Sequence, residues 1–242
     1  MQPEQKFSKL SIIIPAYNEK TTIEEIIRRI SAVDLGRLQK EIIVVDDGST
    51  DGTREILKTI PGIRYIFHEK NLGKGGAVKT GFREATGDIL IIQDADLEYD
   101  PNDYPAMIAS IVGGTTEATM GSRFLTDKHM FWAGGSITLR YLINHIGIRS
   151  ITMLTNYLYW NNATDYEGCY KAFTKRLIDS ISITANGFEY DNELVCKIFK
   201  KGYHIPEVPI RYYPRKYEEG KKIRLSDGFK ILWTIVKYRF VD

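Results

Sequence analysis

The chain reads as an α/β protein built on a doubly wound, mostly parallel sheet, and three observations predict it. Residues 10–14 (LSIII), 41–45 (EIIVV) and 88–93 (DILIIQ) are apolar runs without helical period, as expected of strands buried on both faces. Amphipathic stretches separate them, so strands and helices alternate through the first hundred residues. Two of the runs end in acidic turns, and in such a sheet the carboxyl ends of the strands are where ligands bind. At 242 residues with 43% hydrophobic content, the chain can bury one substantial core.

Taken in order, residues 10–14 end at Pro15, and Thr22 with Glu25 three residues on predicts a capping box opening a helix over 23–30. Residues 41–45 run into Asp46, Asp47 and the turn-rich 48–53 (GSTDGT), followed by a helix near 54–60. A short strand over 63–67, a helix over 74–85 entered through Gly73, Gly75 and Gly76, and the strand 88–93 come next. Pro101 starts another helix, and 118–123 (ATMGSR) reads as a strand delivering Arg123 to the same edge. Within 136–160, His145, Arg149, Thr152 and Asn156 form one helical stripe, while Leu142, Ile143, Ile146, Met153, Leu154, Tyr157 and Leu158 cover a broad remainder. That remainder suits burial in the core or in a dimer, or a place in a bilayer interface. The last third brings 165–171 (DYEGCYK), Asp191 to Glu193 on a helix, a strand over 203–213 and a basic loop over 211–224.

The strand 88–93 breaks into Asp94, Asp96 and Glu98. Alternate residues of an extended segment share a face, so the three carboxylates converge if the strand continues. Carboxylates that close repel unless a cation intervenes, and Mg2+ or Mn2+, which prefer oxygen ligands, are the expected guests. A short Asp-x-Asp is equally what the start of a solvated loop shows.

Net charge is +2, yet residues 200–242 hold 11 Lys/Arg against 5 Asp/Glu, leaving 22 against 26 for the rest. A basic tail beside an acidic body suits phosphates or an anionic membrane surface; a nucleic-acid role would need basic residues over a larger face. Arg215, Lys216, Lys221, Lys222 and Arg224 could form a solvated loop, but their interleaving with Tyr217 and Gly220 favours one that grips phosphate. Cys169 and Cys196 make no disulfide framework and read as reduced thiols in a cytoplasmic protein. The first seven residues lack the apolar core of a signal peptide, and nowhere do 18 apolar residues run uninterrupted, so no membrane span is expected.

Together, residues 13–19 (IIPAYNE), 44–53 (VVDDGSTDGT), 71–77 (NLGKGGA), 94–96 (DAD), 121–123 (GSR) and the loop from Arg215 to Lys221 resemble the family 2 glycosyltransferases of the GT-A fold. The resemblance is nearest to the polyprenyl-phosphate (dolichyl-phosphate) glucosyl- and mannosyltransferases and runs from about residue 10 to residue 240. It implies transfer of a hexose, glucose first and mannose second, from UDP-glucose or GDP-mannose to a polyprenyl phosphate, with inversion and with Mg2+ or Mn2+. It also implies a single GT-A domain over 1–242, with a nucleotide-sugar half at 1–125 and an elaborated acceptor half at 126–242. Pro15, Tyr17, Glu19, Val45 and Asp47 match positions that hold the nucleoside, Asp47 resembling the acid that meets the base. Lys74 and Ala95 lie inside the matched donor motifs. Asp94 and Asp96 match the metal and diphosphate pair, and Glu98 stands as a third metal ligand where relatives often carry Gln. Arg123, Arg215 and Lys221 match cations that grip the donor diphosphate and the acceptor phosphate. The catalytic residues implied are thus Asp94, Asp96, Arg123 and Arg215.

Two departures accompany the match. Relatives tend to read D-x-x-C-G-F-K where this chain has DYEGCYK, so Gly168 and Cys169 stand exchanged. Many relatives carry transmembrane helices after the catalytic domain; here peripheral membrane contact is the expectation. The competing readings are a haloacid-dehalogenase-like phosphohydrolase and a non-catalytic nucleotide-sugar or lipid-phosphate binding module. The first places Thr or Val where Glu98 sits and puts its nucleophile strand early, whereas three strands precede this one. Chemistry favours the transferase independently. A leaving diphosphate gathers negative charge that fixed cations stabilise, and a phosphate monoester acceptor is already ionised at neutral pH and needs no strong base.

Overall fold

A computed structural model describes residues 7–125, 139–214 and 225–241. Its centre is β1 (Lys9–Ala16), which pairs in parallel with β2 (Gln39–Asp46) on one side and β4 (Ile89–Ile92) on the other. Both edges of β1 are therefore paired, and Leu10, Ile12, Ile13 and Ile14, which point to both faces of the sheet, are fully buried. β3 (Arg64–Phe67) adds outside β2, again in parallel. The crossovers are α1 (Ile23–Ala32), α2 (Thr53–Thr59) and α3 (Lys74–Glu84). Helix α1 buries Ile23, Ile26, Ile27 and Ile30, the spacing that lines one helical face. Four strands alternate with three helices before residue 100, as the sequence predicts.

Beyond β4 the sheet changes character. A 3-10 turn (Pro101–Asp103) leads into α4 (Tyr104–Val112), then β5 (Ala118–Ser122), α5 (Leu139–Tyr159), β6 (Lys171–Thr174), α6 (Lys175–Asp179), α7 (Tyr190–Lys200), β7 (Glu207–Pro209) and α8 (Leu225–Phe240). The full order is β3-β2-β1-β4-β6-β5-β7, with β6 inserted antiparallel to both β4 and β5. Among the described residues the result is a seven-stranded, mostly parallel sheet flanked by helices.

Three local expectations fail for physical reasons. The capping box does not form: Glu25 turns forward to Arg28 and Arg29, and the Thr22 hydroxyl donates to the Glu19 carbonyl and carboxylate instead. The strand expected over 203–213 shrinks to Glu207–Pro209 plus a bridge between Tyr99 and Tyr212, since Pro206 and Pro209 offer no N–H to a ladder. The central strand ends at Ile92, and Leu97 adopts φ 63°, so Asp94, Asp96 and Glu98 lie on a turn and not along a strand.

Candidate active site

Reading outward from β1, the chain goes to β2 and β3 on one side and returns to β4 on the other. This reversal opens a crevice at the carboxyl ends of β1 and β4, where doubly wound folds bind ligands. Pro15, Tyr17 and Glu19 leave β1 here, and Asp94 to Glu98 leave β4. Half-buried Pro15 sits in register with buried Val45 on β2. Tyr17 is surface-exposed, while the buried Glu19 donates its N–H to Thr53 Oγ1 at 3.0 Å and so ties the β1 exit to the start of α2.

The turn after β4 is held from below. Gln93 is wholly buried, and its Oε1 accepts from Tyr104 and Tyr170 hydroxyls, each at 2.6 Å, while its Nε2 donates to the Asp94 carbonyl at 2.9 Å. A fixed amide thereby sets the backbone that carries Asp94. The Asp94 carboxylate meets Lys74 Nζ at 2.6 Å. Burial works against the Lys74 charge, but Asp94 outweighs it and holds the amine well above the ordinary lysine value. Ala95 is buried, and Asp96 accepts from the Glu98 N–H at 3.2 Å. Glu98 turns aside: its carboxylate accepts from the Tyr212 hydroxyl at 3.2 Å and its carbonyl from the Tyr213 N–H at 2.8 Å. Among the described residues no three His, Cys, Asp or Glu side chains come together as a metal cluster.

Asp47 lies one strand away with a different environment. Its Oδ1 accepts from Leu72 N–H at 2.9 Å and meets His68 Nδ1 at 2.7 Å, and its Oδ2 accepts from Gly73 N–H at 2.8 Å. The carboxylate thus fixes the loop that delivers Lys74. The glycines of that loop answer to packing: a Cβ on Gly75 would stand 2.6 Å from Tyr190 Cβ and 2.9 Å from the Ala185 carbonyl. They admit the chain before α7.

On the other rim, Arg123 is buried and its guanidinium is held by Asp165 in a two-point fork, Nε to Oδ2 at 2.7 Å and Nη2 to Oδ1 at 2.9 Å. Burial raises Asp165, but Arg123 overrides it and keeps the carboxyl below its usual range. Lys171 is also fully buried, donating to the Tyr166 and Gly168 carbonyls and to Asp191 Oδ2 at 2.6 Å. Beside this pair, burial and then the Asp191 carboxylate push Glu167 up to about 7, and its Oε1 is buried without a hydrogen-bond partner. Gly168 occupies its position for a steric reason: a Cβ there would meet the Gly121 carbonyl at 2.8 Å. The exchanged Cys169 lies against Asp94 and donates its backbone N–H to the Tyr99 hydroxyl.

The structure therefore brings Pro15, Tyr17, Glu19, Val45, Asp47, Lys74, Asp94, Ala95 and Asp96 to one edge of the sheet. Arg215 and Lys221, with the rest of the basic loop from 215 to 224, lie outside the described residues. Residues whose roles sequence reasoning missed are Gln93, His68, Asp165, Glu167 and Asp191. For Asp165 and Asp191 the dense polar motifs at 165–171 and 191–193 were the available signal. For Gln93 and His68 there was none.

A mostly parallel core with an acidic turn at its reversal point defines a ligand-binding α/β fold. Residues 11–181 match the model of glycosyl transferase family 2, and the chain belongs to that family. It is an enzyme, a glycosyltransferase. Among curated relatives it is 28% identical to the UDP-N-acetylglucosamine–dolichyl-phosphate N-acetylglucosaminyltransferase of Methanococcus voltae, over 93% of this chain and 94% of that protein. It is 30% identical to the dolichol-phosphate mannosyltransferase of Pyrococcus furiosus over 88% of this chain but only 59% of the relative. The glucosyl-3-phosphoglycerate synthase of Mycobacterium tuberculosis, solved with Mn2+, uridine diphosphate and phosphoglyceric acid, superposes with TM-score 0.71 at 20% identity, covering 97% of this chain and 80% of that one. At that identity the likeness speaks for the fold.

Proposed function

We propose that the protein moves a hexose from a nucleotide diphosphate sugar to a polyprenyl phosphate, with inversion at the anomeric carbon. The observation that carries this reading is the Asp94 and Asp96 turn, paired with Lys74, at the crevice between β1 and β4. The near full-length likeness to a dolichyl-phosphate transferase supports the acceptor class. The donor lies with its nucleoside along Pro15, Tyr17, Glu19 and Val45 and its diphosphate toward Lys74, Asp94 and Asp96. Glucose from UDP-glucose is the first candidate on the resemblance of residues 217–223, with mannose from GDP-mannose second and N-acetylglucosamine suggested by the Methanococcus relative.

The donor set fits a hard divalent ion: two carboxylates suffice for Mg2+ or Mn2+ when substrate phosphates complete the shell. Asp94 and Asp96 would hold it, with Glu98 close by on the same turn, and when bound it supplies positive charge to the departing diphosphate. The chain's own contribution is positional. Gln93 fixes the Asp94 backbone, and Asp47 fixes the loop that aims Lys74. Asp165 holds Arg123 at the rim, where its guanidinium also lies over the Tyr212 ring at 5.2 Å. An ionised acceptor phosphate attacks the anomeric carbon without a base. Arg215 and Lys221 are proposed to cover its charge.

The test is a partition assay with labelled UDP-glucose, GDP-mannose and UDP-N-acetylglucosamine, Mg2+ or Mn2+, and a short polyprenyl phosphate. Label moving into the organic phase with one donor bears the proposal out and names the sugar. Release of inorganic phosphate alone points to a phosphohydrolase, and binding without either product to a non-catalytic module.

A further inference from the structure

Two helices of this chain carry outward apolar stripes that are exposed among the described residues. On α5, Ile146, Met153 and Tyr157 are 55%, 72% and 78% exposed, at spacings that keep them on one face, and Trp160 just beyond is 84% exposed. On α8, Phe229, Trp233 and Phe240 are 76%, 68% and 76% exposed, again on one face. The inner faces pack together: Ile151, Cys196, Ile231, Ile235 and Tyr238 form a small cluster separate from the main core. The Tyr159 hydroxyl donates to the Ile235 carbonyl, and Arg239 lies over the Trp160 ring at 5.0 Å, so the carboxyl ends of the two helices meet. The two stripes are thus carried by helices in contact, and along α5 the stripe from Ile146 to Trp160 covers about four turns, roughly 22 Å.

The α5 stripe is tied to the site at its amino end. Arg149 on α5 lies over the Phe124 ring at 4.4 Å, next to Arg123, and Tyr213, bonded through its N–H to the Glu98 carbonyl, precedes in sequence the basic residues that lead to α8. We infer that this α5–α8 face seats the enzyme on an anionic lipid surface, a reading that rests on the proposed lipid-phosphate acceptor and names where that acceptor's membrane is met. Charge selects the occupant. The two helices carry Arg140, Arg149, Lys230, Lys237 and Arg239 against a single acid, Asp227. A second copy across a two-fold axis would set these cations against themselves, whereas anionic headgroups match them, and Trp and Tyr favour the headgroup boundary.

The experiment is flotation of the whole chain with vesicles of phosphatidylcholine and phosphatidylglycerol, and with phosphatidylcholine alone, without nucleotide sugar or polyprenyl phosphate. Wild type is expected to float with the anionic vesicles and at least tenfold less with neutral ones. The double variant Phe229→Glu, Trp233→Glu is expected to stay in the aqueous phase at an unchanged melting temperature, and to keep transfer to a short water-soluble isoprenyl phosphate. Wild type that fails to float, or a variant that floats as well as wild type, overturns the inference, as does a solution dimer that the double variant dissociates. Because flotation uses no substrate, loss of the surface and loss of the transferase reading are told apart: flotation without transfer sinks only the latter.

Discussion

Two acidic turns sit at the carboxyl ends of β2 and β4, the strands that flank β1, and they do different work. After β2, Asp46 and Asp47 are buried and enclosed by donors of the chain itself: Ser49 N–H and Arg54 on Asp46, Leu72 N–H, Gly73 N–H and His68 on Asp47, with only Asp46 Oδ2 left unpartnered. After β4, Asp94 and Asp96 are partly exposed, and Asp94 faces the ammonium of Lys74. Identical residue types thus serve architecture in one turn and present charge to the crevice in the other. What separates them is the supply of local N–H donors, which the loop 71–73 gives to Asp47.

The comparison predicts where substitution costs stability. The largest loss is expected at Asp165, the most enclosed acid of the rim. Asp165→Ala leaves Arg123 buried and unpaired, at a cost of about 3–5 kcal/mol, read as a lowered denaturation midpoint. Asp47→Ala strands the Leu72 and Gly73 N–H groups and is expected to cost about 1–3 kcal/mol. It should weaken donor binding as well, through the displaced Lys74, while leaving any metal requirement unchanged in a calorimetric titration. An Asp47→Ala protein as stable as wild type would erase the distinction between the turns.

A further effect concerns pH. Glu167 ionises near 4.5 when unfolded and near 7 when folded, so between those values the folded state holds the extra proton and stability falls as pH rises. Glu167→Gln removes that penalty. Its melting temperature should match wild type below pH 4 and exceed it increasingly up to pH 7, then by a constant margin. A constant difference from pH 4 to 8 would show that Glu167 is not held neutral by its burial.

Much of the frame was legible because buried parallel strands are apolar without alternation and end abruptly, as residues 10–14, 41–45 and 88–93 do. The acidic turn at Asp94 was legible for the same reason. The antiparallel β6 was not: four residues led by Lys171 look polar until Asp191 and two carbonyls are seen to satisfy the ammonium. Alternate positions bring Asp94, Asp96 and Glu98 to one face only if the strand continues, and it ends at Ile92, with Leu97 turning the chain. The polar stripe of α5 was seen, but its direction was not. Thr152 and Asn156 point inward, Asn156 bonding Ala163 and Tyr166, and this leaves Met153 and Tyr157 outside.

The contrast between the turns rests most directly on Asp96→Asn, assayed for transfer and thermal melting in parallel. Removing charge from a partly exposed acid that presents itself to ligand should leave the melting temperature within about a degree or raise it. Turnover with the preferred donor should fall at least about a hundredfold, the scale at which transition-state charge stabilisation acts. A folded Asp96→Asn enzyme with normal turnover would contradict the assignment of the site to the β4 turn.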